Sequence, residues 1–278
     1  MKVIKLSHVV DNYTRYSYKT NYDVWDRCVD GVDMYLHQAR KDLRRGLNLD
    51  KFDVIFLAPI ARMKLFPDVL EAAKKSSAKT VLFDNDSCYH RFSEDVYSEI
   101  DLILYRDVDY SGNEPETDSM WLPWHVDVNY YTPNFGGKGV SFNCTVSHHY
   151  PLRVDIDRHV QKATYFTGDK YREVMSKAAA GIHTDSPRVP QVRSKALEIA
   201  ACGSQIISNR TSKMDYFFPD ELITYFDDIE HLKEIVKNFE PNVEIQKELR
   251  NIVEKNHSVE VRSKQVMKKI ESILDEEK

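Results

Sequence analysis

No two of the four cysteines, Cys28, Cys88, Cys144 and Cys202, are spaced as a C-x-x-C pair, so neither a redox dithiol nor a structural zinc site of that kind is expected. Cysteines scattered singly through 278 residues suit a reducing cytosol. Long hydrophobic runs are missing as well. No stretch approaches the roughly 20 apolar residues of a membrane-spanning helix. The opening MKVIKLSHVVDNY is too short and, after Val10, too polar for a secretory leader, and reads as a first strand. Positive charge is not in excess. Lys and Arg number 39 against 44 Asp and Glu, a net charge of −5, which speaks against a broadly basic nucleic-acid surface but leaves room for a local basic groove. Internal repeats and low-complexity tracts are also absent. These absences predict a soluble cytoplasmic protein without membrane partners, acting as a monomer.

What is present is enough apolar sequence, 42% against 30% charged, to bury a sizeable core. The length suggests about two domains. Short runs of β-branched and aromatic residues predict strands at Lys2–His8, Asp53–Ala58, Thr80–Phe83 and Leu102–Tyr105, with helices at Tyr22–Arg45, Pro67–Lys75 and Phe92–Ile100. Residues 121–139, WLPWHVDVNYYTPNFGGKG, carry two prolines, three glycines and no helical period, and read as a linker. The alternation then resumes. Strands are expected at Val140–Phe142, Thr164–Phe166, Ala180–Thr184, Gln205–Ser208 and Leu222–Tyr225, and helices at Val154–Val160, Tyr171–Lys177, Arg193–Ala201 and Asp228–Asn238. A charged helical tail over Val243–Glu277 breaks near Asn256-His257-Ser258. Such alternation means right-handed βαβ units and parallel sheets. The fold class is therefore α/β, with two doubly wound Rossmann-like domains, 1–133 and 134–278, facing across a cleft. Ligands of such sheets bind outside the carboxyl ends of the strands.

Within KALEIAACGSQIIS, residues 195–208, the acid Glu198 stands among small residues on a helix that an apolar strand follows almost at once. Lys195 precedes it by three residues, so both project from one face. Ala200 and Ala201 leave room for a ligand, and Gly203 permits the turn into the strand. A carboxylate so placed can accept both hydroxyls of a ribose, and a neighbouring cation can offset a diphosphate. The alternative is a surface ion pair worth about 0.3–0.5 kcal/mol.

Lys195-Ala-Leu-Glu198-Ile-Ala-Ala-Cys-Gly203 resembles the R-x-x-E-x-x-A-C-G signature of nucleotide-sugar glycosyltransferases of the two-Rossmann (GT-B) type, in their group 1 and spore-protein-like branches. Further pieces fall in order. Leu122-Pro123-Trp124-His125-Val126-Asp127 with Tyr131-Thr132-Pro133 is similar to the linker before the second domain. Val140–Asn143 followed by Arg153 is similar to that domain's first strand and the basic residue of the next loop. The segment from Asp215 to Leu232 and the tail, whose helices are expected to cross back to the first domain, resemble the family's remaining elements. The resemblance implies that Glu198 binds the ribose, that Gly203 shapes the donor site, and that Arg153, Arg193 and Lys195, with Arg188 as a further candidate, serve the diphosphate. Two residues depart from the pattern. Lys195 replaces an arginine, and Pro190 stands where retaining members carry an acid eight residues before Glu198.

The chain as a whole resembles the small T-even bacteriophage DNA glucosyltransferases, including the type that adds a second glucose to glucosylated hydroxymethylcytosine. That resemblance implies UDP-glucose as donor, double-stranded DNA carrying modified cytosine as acceptor, a β-linked product, and the host cytoplasm as location. The segment after the first strand fits an acceptor role, because Tyr13, Tyr16 and Tyr18 alternate with Arg15 and Lys19. Tyrosines stack on bases or sugars, and the cations contact phosphates. A Tyr-rich loop packed on its own domain fits the same residues. A second basic cluster, Arg40-Lys41-Asp42-Leu43-Arg44-Arg45, equally suits the carboxyl end of a helix.

An inverting transfer needs a general base on the acceptor hydroxyl and cations on the departing diphosphate. Two first-domain loops offer the base, and the order of preference is Asp86, then His8, then Asp11. Asp84 or Asp86 serves equally as a helix cap. Asp84-Asn85-Asp86 is not the D-x-D of metal-dependent transferases, so neither a metal nor another cofactor is required on this reading. A bacterial surface-polysaccharide or spore-coat glycosyltransferase is the competing enzyme, and a non-catalytic nucleotide-binding protein of the same fold is the competing class.

Overall fold

The computed structural model describes residues 1–7, 31–58, 67–84, 94–106, 118–185 and 192–275. Among these, the residues before Trp124 and those from Arg262 on form one compact unit, and Trp124–Val261 form a second.

In the first unit the strands are Val3–Ser7 (β1), Gly31–Tyr35 (β2), Val54–Ala58 (β3), Lys79–Asp84 (β4), Leu102–Tyr105 (β5) and Ser119–Trp121 (β6). All pair in parallel, in the order β2-β1-β3-β4-β5-β6. β4 is buried from Thr80 to Asp84, as a strand covered on both faces must be. The helices are Leu36–Leu43 (α1), Pro67–Lys75 (α2) and Glu94–Tyr97 (α3). Val69, Leu70 and Ala73 of α2 meet Ile55, Leu57 and Leu82 in the core.

The helix expected over Tyr22–Arg45 is a correction. Within the described residues, 31–35 form β2, in register with β1 from Val3↔Gly31 to Ser7↔Tyr35, and the helix starts only at Leu36. Gly31-Val-Asp-Met-Tyr has the alternation of a strand, and a long-range partner decides the conformation of so short a run. β6 was not expected either, because its Trp121 opens the supposed linker.

The second unit holds Val140–Ser141 (β7), Ala180–His183 (β8), Gln205–Asn209 (β9) and Ile223–Phe226 (β10), all parallel, in the order β10-β9-β8-β7. Its helices are Pro151–His159 (α4), Gly168–Lys177 (α5), Ser194–Ala201 (α6), Met214–Phe217 (α7), Ile229–Lys237 (α8) and Val243–Asn256 (α9). A last helix, Val259–Asp275 (α10), begins here and passes into the first unit at Arg262. The break between α9 and α10 falls at His257-Ser258, where the sequence suggested it.

The strand expected at Thr164–Phe166 is reduced to a single bridge, Asn143↔Thr164. The Asn143 side chain replaces the ladder there. Its Oδ1 accepts from the Phe166 N–H at 2.8 Å, and its Nδ2 donates to the Phe166 carbonyl at 3.1 Å.

Residues 124–133, assigned to the first domain by the sequence boundary, pack into the second unit. Trp124, Val126 and Tyr131 lie in its core, so the apparent linker is buried. Arg250 of α9 fixes it: Nη1 donates to the Tyr131 and Ala201 carbonyls at 2.7 and 2.5 Å, and Nη2 to Val128 at 2.8 Å. A cation on the last carbonyls of α6 also suits its dipole.

Registry sets the two faces of this sheet. Gly181 opposes Ile206 and His183 opposes Ser208, so these four share one face. That face is covered by α5 and α6, because a Cβ on Gly181 would stand 2.7 Å from both Ile199 and Met175. On the other face Ala180, Ile182 and Ile207 pack with Ile156 of α4 and Leu232 of α8.

Candidate functional site

β7, β8 and β9 all deliver their carboxyl ends to the same edge of the second unit's sheet. α4 follows β7, and α6 follows β8. The site's side chains come from the first two turns of these helices and the last residues of the strands. Arg153, in the first turn of α4, is held by the strand end: Nε donates to Thr184 Oγ1 at 2.8 Å, and its guanidinium lies 4.1 Å from the centroid of the Tyr150 ring. Nη2 also donates to the Thr184 carbonyl at 3.4 Å, and the remaining N–H donors of the five are left for another partner. Arg193 is the N-cap residue of α6, 6.0 Å from the Trp124 ring centroid. Among the described residues no side chain caps α6, so its first N–H groups add to a positive field.

Glu198 lies in the second turn of α6. Every residue from Ala196 to Ala201 is buried, because small side chains let the helix sit close against the sheet. Glu198 is 0% exposed, and neither carboxylate oxygen has a hydrogen-bond partner. Lys195 Nζ stands 3.6 Å from Oε2, an ion pair beyond hydrogen-bond reach. The surface ion pair weighed from sequence is thereby excluded. The same ammonium sits 3.8 Å from the centroid of the Tyr171 ring. Burial first, and then the Glu198 charge, push the Tyr171 hydroxyl well above its ordinary range, yet no hydrogen bond of normal geometry forms between the two. A buried carboxylate with empty acceptor positions costs several kcal/mol, on the order of 2–7 for a polar group left unpaired. The arrangement is suited to a ligand that brings two hydroxyl donors and an adjacent anion.

Gly203 closes the helix with φ +77°, and a Cβ there would meet the Asn134 nitrogen at 3.0 Å. The close approach and the left-handed turn each call for glycine at this position, as expected for the turn into the strand. Asp84 is 3% exposed, and its carboxylate receives the Tyr97 hydroxyl, which commits it to the first unit's interior. Of the basic cluster, Arg44 and Arg45 are exposed and pair with Asp68 and Asp42. Asp86, His8 and Asp11, the acceptor candidates Tyr13, Arg15, Tyr16, Tyr18 and Lys19, and Arg188 all lie outside the described residues.

Sequence reasoning missed His183, the last residue of β8. It is 0% exposed, and its Nδ1 lies 2.9 Å from Ser208 Oγ. Burial first, then the charges of Arg153, Lys195 and Arg193, lower its pKa to about 3. The structure thus brings those three predicted cations into one field, together with Glu198. The available signal was a polar residue ending the apolar run Ala180-Gly-Ile-His183 beside the candidate helix.

Among the described residues no group of three His, Cys, Asp or Glu side chains is placed to hold a metal ion, and no helix is long and apolar enough to cross a membrane.

Comparison with known proteins gives this geometry a class. Residues 135–268 match the family described as glycosyl transferase-like. Comparison with curated sequences finds no match. Anabaena HepE, solved in complex with UDP, superposes with a TM-score of 0.61 at 12% identity over 98% of this chain and 100% of that one. An alpha-glucosyltransferase in complex with UDP-glucose and DNA containing an abasic site gives 0.64 at 11% identity over 97% and 98%. Sucrose-phosphate synthase from Thermosynechococcus elongatus gives 0.65 at 9% identity over 99% and 100%. The chain has the GT-B fold. A glycosyl transferase-like domain spans its residues 135–268.

Proposed function

We propose that this glycosyltransferase moves glucose from UDP-glucose to hydroxymethylcytosine, or to its glucosylated form, in DNA, with inversion at the anomeric carbon. The observation that carries the donor half is Glu198, fully buried with two unfilled oxygens beside a cluster of cations. The ribose hydroxyls donate to those oxygens. Lys195, Arg193 and Arg153, with the uncapped start of α6, receive the diphosphate and offset its charge as the bond from the anomeric carbon to the phosphate oxygen breaks. A base in the first unit, Asp86 ahead of His8 and Asp11, takes the proton of the attacking hydroxyl. Pro190, in the place of a retaining enzyme's acid, supports inversion.

The acceptor half rests on Tyr13, Arg15, Tyr16, Tyr18 and Lys19, and on the likeness over 97% of this chain to a DNA-bound alpha-glucosyltransferase. The test is mass spectrometry of nucleosides from hydroxymethylcytosine DNA, plain and glucosylated, after incubation with several UDP-sugars. A hexose added only from UDP-glucose is the expected result. Hydrolysis or transfer to free saccharides, with DNA untouched, would give the enzyme a polysaccharide or spore-coat acceptor instead.

A further inference from the structure

His183 has one nitrogen in use and one idle. The Ser208 hydroxyl donates its proton to the Asn209 carbonyl at 2.8 Å. Its oxygen can therefore only accept from His183, 2.9 Å away, which makes Nδ1 the protonated nitrogen of the neutral ring. Nε2 is left as a bare lone pair, buried and without a hydrogen-bond partner. The charged groups acting on the ring are Arg153 from α4, Arg193 at the start of α6 and Lys195 within α6, all positive. The nearby carboxylate of Asp185 is occupied by Asn209 Nδ2 and Thr211 Oγ1 at 3.0 and 2.7 Å.

A buried idle lone pair in the field of three cations has no structural use. Leucine in its place would leave no buried nitrogen unmet, and native interiors leave few such atoms unmet. An anion among those cations changes the situation. It cancels the field that keeps the ring neutral and presents oxygens that a lone pair would repel and an N–H would attract. We infer that His183 is a fourth ligand of the diphosphate, taking up one solvent proton at Nε2 when the nucleotide sugar binds and donating that N–H to a phosphate oxygen. Charge balance is simple: one proton enters with the ligand, no covalent bond is made or broken, and the proton leaves with the product. This assignment rests on the donor reading of the site and adds to it a titrating group.

The sign follows from linkage. A group whose affinity for protons rises on binding makes ligand affinity fall with rising pH, between the free and the bound pKa of the group. Titration calorimetry with UDP-glucose, in buffers of different ionisation enthalpy at pH about 7, reads the protons taken up; the diphosphate of UDP-glucose has no group titrating near that pH, unlike a terminal phosphate with its pKa of about 6. Wild-type protein should take up a substantial fraction of a proton. His183→Asn keeps a donor for Ser208 and removes Nε2 with the outer part of the ring. It should fold normally, bind UDP-glucose roughly ten- to a hundredfold more weakly, take up none, and bind uridine as the wild type does. Tight binding by the wild type without proton uptake, or equal uptake by the variant, overturns the inference. No binding of UDP-glucose by the wild type overturns the donor reading instead.

Discussion

Glu198→Gln separates a ligand-binding acid from a structural one, because the two roles predict opposite results in the ligand-free protein. The carboxylate is wholly buried, and its oxygens accept no hydrogen bond. Its ion-pair partner, Lys195, is 3.6 Å away with a side chain 28% exposed. That ammonium stays partly hydrated when the acid is removed. Were the pair a structural ion pair, breaking it would cost about 3–5 kcal/mol and lower Tm by roughly 6–20 °C in a domain of this size. With empty acceptors, the isosteric amide removes a desolvation cost, and Tm should hold or rise. Binding moves the other way. Two ribose hydroxyls donating to a carboxylate become hydrogen bonds to a neutral amide, about half as strong. A charged hydrogen bond is worth about 1.5–3 kcal/mol, so UDP should bind roughly ten- to a hundredfold more weakly. Calorimetry with UDP and a thermal melt without ligand read both. A large fall in Tm with unchanged UDP affinity would refute the reasoning.

Lys195→Ala should weaken UDP far more than uridine and lower turnover, since the ammonium acts on phosphate; equal loss for both ligands in competition binding would count against that role. Arg15 and Lys19 changed together to Ala should flatten the salt dependence of DNA binding by roughly two units of log–log slope, at about −0.9 per phosphate contact, with UDP affinity untouched; an unchanged slope would remove this segment from the acceptor site. Gly203→Ala forces a side chain onto φ +77° against the Asn134 nitrogen at 3.0 Å and should cost about 1–3 kcal/mol, seen in denaturant unfolding, while the folded fraction keeps its UDP affinity.

The alternation of short apolar runs made the α/β class legible, because buried parallel strands have to be nearly continuous in Val, Ile, Leu and Phe. Local pattern failed where a distant partner decided the outcome. Gly31–Tyr35 is a strand because β1 offers it an edge. Thr164–Phe166 stops being one because the Asn143 amide takes the place of backbone groups. In the same way, a proline- and glycine-rich stretch looked like a linker, while the carbonyls that Arg250 gathers from it lie more than a hundred residues away in sequence.

The candidate site was legible as residue types at a helical spacing, Lys195 and Glu198, but not as burial. An i, i+3 pair reads the same on a surface as in a core. His183 was invisible for a related reason: its meaning lies in which nitrogen is occupied, and Ser208, 25 residues on, settles that.

Hydrogen-bond satisfaction is what joins these residues into one site. Several buried polar groups elsewhere in the second unit are met closely. The Ser204 hydroxyl lies within reach of the Met175 and Ala178 carbonyls, at 3.1 and 2.8 Å, and the Arg250 guanidinium reaches three carbonyls and Glu254. Native interiors leave few such atoms unmet, and each exception asks for a reason. The Tyr171 hydroxyl, His183 Nε2 and both oxygens of Glu198 are such exceptions. They come from α5, β8 and α6, three elements on the same face of one sheet, with Lys195 between Tyr171 and Glu198. Unmet atoms also occur elsewhere in the unit, at Asn209 Oδ1 and Gln246 Oε1. Unmet acceptors gathered around cations at the carboxyl end of a sheet describe a ligand with hydroxyls at one end and negative charge at the other, and a nucleoside diphosphate has that form.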